Sequence, residues 1–145
     1  MRLTFQEYIS IKIHKTDLNL TSFIKSRLET FNLAPEQNLI MMLLWEKDGL
    51  TQNQLVEKLS KDKTNIARMA SNLEKKGFVK RICPSCDRRS LELHLTSAGK
   101  ELGQKVIPII EEFNDIVCKG ISEEDLLSFE RILSKINNNV LNHCD

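Results

Sequence analysis

Between Leu50 and Thr96 two short helix signals and a pair of strand signals follow one another with no spare residue, and that order is the tightest constraint on what the chain can fold into. Thr51-Gln-Asn-Gln opens with a capping-box pattern, in which the Thr51 hydroxyl and the Gln54 amide satisfy backbone groups at a helix start. Leu55, Val56 and Leu59 then fall on one side, with Glu57 and Lys58 on the other. A second helix is expected to start after Asp62, a suitable N-cap, and to stop at Gly77. Its inner face is Ile66, Met69, Ala70 and Leu73. At about 100° per residue the outer face is then Thr64, Arg68, Ser71 and Lys75, with Asn65 on the flank. After Gly77, Phe78 to Cys83 and Ser90 to Leu95 read as two strands. Leu91, Leu93 and Leu95 alternate with Glu92 and His94, and Pro84-Ser-Cys-Asp between the strands is turn chemistry.

Helix, turn, helix and hairpin in this order is the plan of a winged helix-turn-helix. The outer stripe of the second helix carries hydroxyl, amide and cationic groups, the types that meet base edges and phosphates in a major groove. Glu74 is the one acid in its C-terminal half. Arg88 and Arg89 fall near the hairpin tip, where arginine can reach a minor groove. Each feature also has a plainer reading: a solvated helix face, and two arginines that keep a hairpin soluble. The formal net charge of +1 conceals an uneven distribution. Counting Lys and Arg against Asp and Glu, residues 1–50 carry 6 and 6, residues 51–95 carry 10 and 5, and residues 96–145 carry 5 and 9. The basic excess therefore sits in the helix and hairpin segment, as an electrostatic footprint for nucleic acid would.

The run Asp62-Lys-Thr-Asn-Ile-Ala-Arg-Met-Ala-Ser-Asn-Leu-Glu-Lys-Lys-Gly-Phe-Val-Lys-Arg resembles the recognition helix and first wing strand of the MarR family of bacterial transcriptional regulators. Asp87-Arg-Arg-Ser-Leu-Glu-Leu-His-Leu-Thr-Ser-Ala-Gly-Lys is similar to that family's wing signature, Asp-x-Arg followed by Leu-Thr-x-x-Gly. A weaker likeness extends over nearly the whole chain. The resemblance implies a mainly α fold with a small β-hairpin wing, in one domain over residues 1–145. Within it a winged module at 35–96 is flanked by dimerisation helices at 1–34 and 97–145. It further implies that Arg89 is the minor-groove arginine and Asp87 the carboxylate that orients it. With the outer helix face, the expected DNA-contacting set is Thr51, Gln52, Lys63, Thr64, Asn65, Arg68, Ser71, Lys75, Asp87, Arg88 and Arg89.

The flanks read as helices. Thr4 to Asn32 holds neither Pro nor Gly, and Leu20, Phe23, Ile24, Leu28 and Phe31 make a helical stripe, although Ile9, Ile11 and Ile13 alternate as a strand would. Pro35 suits a first helical turn. Leu39 to Trp45 is apolar on every side, which predicts a helix buried all round. Trp45, Met41 and Met42 there can be core residues or pocket lining. A helix from Thr96 to Lys119 would meet Pro108 and kink. Ser122 caps a final helix whose first turn is Glu123, Glu124 and Asp125, and whose stripe of Leu126, Phe129, Leu133, Ile136 and Val140 has the spacing of a coiled-coil seam. That seam can close within one subunit or between two. Two half-sites one DNA turn apart, about 34 Å, favour a homodimer on a pseudo-palindromic operator.

Cys83 and Cys86 form a C-x-x-C in the hairpin, a spacing that can bind zinc or cycle as a disulfide. Zinc wants four ligands, and Cys118, Cys144 and His94 are scattered, so no metal is expected. Two plain thiols remain one reading. The other is a redox pair whose disulfide would stiffen the tip that bears Arg88 and Arg89. The MarR family's peroxide-sensing members carry their reactive cysteine in the first helix, and this chain has none before Cys83. His14, His94 and His143 are isolated, and phosphate-loop, catalytic-triad and paired-carboxylate patterns are missing, so neither an enzyme nor a cofactor is expected. No apolar run approaches the roughly 20 residues of a membrane span and no signal-peptide pattern opens the chain, so a cytoplasmic location is expected. The sequence thus points to a sequence-specific DNA-binding regulator, a repressor released by a small-molecule or redox effector. The alternative is a winged-helix adaptor that binds a protein partner and has lost specific DNA binding.

Overall fold

A computed structural model describes residues 2–85 and 90–143 of the chain. After a 3-10 turn at Phe5–Glu7 come α1 (Ile9–Leu28), a second 3-10 turn (Glu29–Phe31) and α2 (Pro35–Glu46). The winged module follows as β1 (Leu50–Thr51), α3 (Gln52–Leu59), α4 (Lys63–Lys75), β2 (Val79–Ile82) and β3 (Glu92–Leu95). Two long helices, α5 (Ser97–Val117) and α6 (Glu123–His143), complete the chain. Two compact units result, residues 1–111 and 112–145, with α5 carrying the chain from one to the other.

Ile9, Ile11 and Ile13 lie inside α1 and not in a strand. Their alternation spans too few residues to compete with a segment free of helix breakers, and a lone strand would leave its backbone groups unpaired. Asn32, at φ 55°, turns the chain out of the second 3-10 turn, and Pro35 opens α2 at a position where its missing N–H costs nothing. The expectation that α2 is buried all round needs correcting. Ile40, Met41 and Leu44 are buried, while Leu39 is 39% and Met42 37% exposed. Within the first unit α1, α4, β3 and α5 pack on this helix but leave those two side chains partly open.

The hairpin gains a third strand. β1 pairs antiparallel with β3, giving the order β1-β3-β2, with Leu50 opposite Leu93 and Val79 opposite Leu95. Two residues are too few to carry a periodic signal, so β1 is set by its partner: Leu50 is buried with Leu93 and Val79 in the core. Asp48 fastens the α2–β1 turn to the sheet, since its Oδ1 accepts the N–H of Leu95 at 2.8 Å and of Gly49 at 3.0 Å. Leu28, Ile40, Leu44, Leu55, Ile66, Leu73 and Val106 complete one core shared by five helices and the sheet.

α5 runs through Pro108 without interruption. The proline is exposed and borders an open cleft, so water can meet the Gln104 carbonyl that loses its helical donor. In the second unit Ser122 caps α6 as expected, its Oγ accepting the Asp125 N–H at 3.1 Å. α6 buries none of its described residues, and Leu127, Phe129, Ile132, Val140 and Leu141 are each more than half exposed.

Candidate nucleic-acid interface

α3 and α4 are each started by a side chain. The Thr51 hydroxyl accepts the Gln54 N–H at 3.1 Å and Gln54 Oε1 accepts the Thr51 N–H at 2.8 Å, the reciprocal box the sequence pattern promised. Ser60, at φ 52°, ends α3, and a Lys61–Glu36 ion pair at 3.2 Å ties the following turn to α2. Asp62 Oδ1 then accepts the Asn65 N–H at 2.7 Å and opens α4. With Ile66, Met69, Ala70 and Leu73 buried against α3, α2 and β2, the opposite side of α4 faces solvent. Lys63, Thr64, Arg68 and Lys75 are exposed there, and Asn65 and Ser71 are half-buried on its flanks. The Arg68 guanidinium donates to Asn65 Oδ1.

The acid on this helix is engaged elsewhere. Glu74 Oε2 accepts the Arg81 backbone N–H at 3.1 Å, and its Oε1 accepts Arg81 Nη2 at 3.2 Å and Nε at 3.4 Å. That backbone hydrogen bond, against the cost of desolvation and with further help from the guanidinium, holds the Glu74 carboxyl below the usual glutamate range. Its charge is matched by β2 and not offered to a phosphate. At the C-terminal end of α4, Lys76 Nζ donates to the Asn32 carbonyl and to Gln37 Oε1, each at 2.7 Å, so α4 is bolted to the α1–α2 junction.

The junction of wing and α5 is equally determined. Thr96 donates its N–H to the Phe78 carbonyl at 3.1 Å and its hydroxyl to the Gly77 carbonyl, while Thr96 Oγ1 accepts the Gly99 N–H at 3.1 Å as the cap of α5. A Cβ on Gly99 would lie 2.1 Å from the Phe78 carbonyl oxygen, so only glycine fits. One turn on, a Cβ on Gly103 would meet the Trp45 indole at 2.8 Å, and that indole donates to the Gly99 carbonyl at 2.9 Å.

Known proteins share both sequence pattern and architecture with this chain. The family model described as the MarR family matches residues 33–91, from the end of the α1–α2 junction to the start of β3. The organic hydroperoxide resistance transcriptional regulator of Bacillus subtilis (strain 168) is 26% identical over 107 residues, 74% of this chain and 73% of that protein. The S. aureus MepR–DNA complex superposes with a TM-score of 0.84 at 23% identity, over 94% of this chain and 99% of that one. The match to the MarR family thus covers the winged module, and the likeness in fold extends over nearly the whole chain. Another fold match, at TM-score 0.83 and 14% identity over 95% and 99% of the two chains, is Bordetella bronchiseptica BpsR, from work on regulation of its DNA binding by 6-hydroxynicotinic acid.

On this winged-helix scaffold the expected contacts separate into three groups. Lys63, Thr64, Asn65, Arg68, Ser71 and Lys75 lie along one face of α4. Thr51 and Gln52 sit at the β1–α3 junction, where Thr51 is occupied as a cap and Gln52 is half-buried with its Oε1 sheltered and without a hydrogen-bond donor among the described residues. Cys86, Asp87, Arg88 and Arg89 lie outside the described residues. On either side of them in the sequence, Ser85 Oγ and Ser90 Oγ are 3.1 Å apart, and Cys83, just beyond β2, is half-buried. Sequence reading missed the Glu74–Arg81 link and the Lys76 node. A lone acid seven residues before a basic strand residue was the available signal for the first. The second joins residues 39 and 44 apart and left no local trace.

A cleft of about 580 Å³ opens between α2 and α5, lined among others by Trp45, Asp48, Leu95, Lys100 and Ile107. Trp45 therefore belongs to both core and cleft. Met41 is core alone, and Met42 borders a smaller hollow of about 240 Å³.

Proposed function

We propose that the chain is a homodimeric, sequence-specific DNA-binding transcriptional regulator that represses by covering a pseudo-palindromic operator. The observation that carries this reading is the exposed face of α4: Lys63, Thr64, Arg68 and Lys75 point to solvent, while Asp62 is used as the helix cap and Glu74 is taken up by Arg81. Thr64, Asn65 and Arg68 would read base edges, Lys63, Ser71 and Lys75 would meet phosphates, and Arg89, oriented by Asp87 beside Arg88, would enter the minor groove. Thr51 and Gln52 contribute at the edge of that footprint. Segments 1–34 and 97–145 supply the dimer contacts, a role suited to an α6 that leaves Phe129 and Val140 of its apolar stripe exposed in the single chain. Such a protein works where the chromosome lies, in the cytoplasm, and as a binding protein and not a catalyst.

The effector is a small molecule seated in the cleft beside Trp45 and Lys100, where an aromatic wall, a cation and the Asp48 carboxylate converge on α5. Redox control through Cys83 and Cys86 is a second route, because a disulfide would stiffen the arginine-bearing tip. Equal operator binding by wild type and Cys83→Ser under reducing and oxidising conditions would remove that route. The main reading is tested by footprinting the promoter of the protein's own gene. Two protected half-sites one helical turn apart are expected. Weak, uniform binding without a protected site would favour a winged-helix adaptor that binds protein instead.

A further inference from the structure

We propose that Asn65 is a positioning residue that holds Arg68 ready to read one guanine in each half-site, an inference that rests on the DNA-binding reading above. Asn65 is the third residue of α4, its backbone N–H is held by Asp62 Oδ1 at 2.7 Å, and its half-buried side chain therefore starts from a fixed point. From there Oδ1 accepts an Nη2 hydrogen of Arg68 three residues on, the spacing that puts two side chains on one helix face. Arg68 is exposed and makes no ion pair among the described residues, so this single contact decides where its guanidinium points.

The acceptor is a neutral amide, and that choice matters. A carboxylate at residue 65 would orient the guanidinium equally well but would cancel its charge and repel phosphates. An amide oxygen orients it and leaves the full positive charge for the nucleic acid. One Nη2 hydrogen is used inward, which leaves Nε–H, Nη1 and the second Nη2 hydrogen. These suffice for two parallel donors. In the major groove only guanine presents two adjacent acceptors, N7 and O6. Adenine places a donor beside its N7, and thymine a methyl beside its single acceptor. A pre-aimed fork also avoids losing the rotamer freedom of a long side chain at the moment of binding.

The test uses the full-length dimer and duplexes selected by the wild type from a randomised pool. The selected duplexes are then remade with 7-deazaguanine, which lacks the N7 acceptor, at each guanine in turn. Wild type is expected to enrich one invariant guanine per half-site and to lose about 5- to 100-fold in affinity when it is replaced. Arg68→Ala should be indifferent to the replacement, and Arg68→Lys should show a smaller penalty than wild type, since a flexible ammonium lacks the fixed fork, while keeping the wild-type salt dependence because its charge remains. Asn65→Ala retains the Asp62 cap, whose carboxylate needs only the backbone N–H of residue 65, and should discriminate several-fold less well at an unchanged salt dependence. A guanine penalty that survives Arg68→Ala, or undiminished discrimination by Asn65→Ala, would overturn the inference and leave the DNA-binding reading intact. If wild type enriched no sequence at all, that reading would fall and take the inference with it.

Discussion

Single side chains in this molecule act mostly by where they let two elements meet. Gly99 and Gly77 make the contrast clear. At Gly77 the backbone has φ +83° with open space around it, so Gly77→Ala should cost only about 1 kcal/mol of strain. At Gly99 the backbone is helical but a methyl would be driven into the Phe78 carbonyl, so Gly99→Ala should cost about 3 kcal/mol or more, because the neighbour that must move is main chain. Urea denaturation of the two variants would show the order, and equal losses would contradict it. Glu74 offers a test in pH. Its folded pKa is depressed, so its contribution is complete above the ordinary glutamate range and is lost as pH falls through the lowered folded value. The stability difference between wild type and Glu74→Gln should be small, since the pair is partly exposed, present at neutral pH, and gone in acid. A difference independent of pH would mean the carboxylate charge plays no part.

Elements carry the function by presenting faces. α4 was legible from its residues alone because its cap, its buried 3-4 stripe and its terminal glycine all agree, and the structure bears out each. β1 was illegible, since its two residues are a strand only through β3. α2 was half legible: its apolar character was plain, but which sides neighbours cover was not. The hairpin beyond β2 bears the arginines assigned to the minor groove. Arg89→Ala should weaken binding to a selected operator by about 1 to 3 kcal/mol with an unchanged melting temperature. Operator titrations that coincide with wild type would refute the wing's role.

At the scale of the whole molecule the open question is what covers the apolar residues left exposed on α6. Phe129 is 55% and Val140 60% exposed in the single chain, so aspartate at either site should not harm the fold of one copy. In a dimer closed by this helix, Phe129→Asp with Val140→Asp should halve the mass measured by light scattering. Operator affinity should drop at least tenfold, because one recognition helix cannot span two half-sites. A doubly substituted protein that keeps its dimeric mass would place the interface elsewhere.

Helix starts, helix faces, the hairpin and the local excess of positive charge were all determined by the sequence itself, since each depends on residues within a few positions of one another. Only the tertiary structure decided how distant residues spend their polar groups. Glu74 is committed to Arg81, Lys76 to the α1–α2 junction and Thr96 to the turn that follows α4. Such partnerships depend on which surfaces come to rest together once the core has formed, and spacing along the chain holds no record of them.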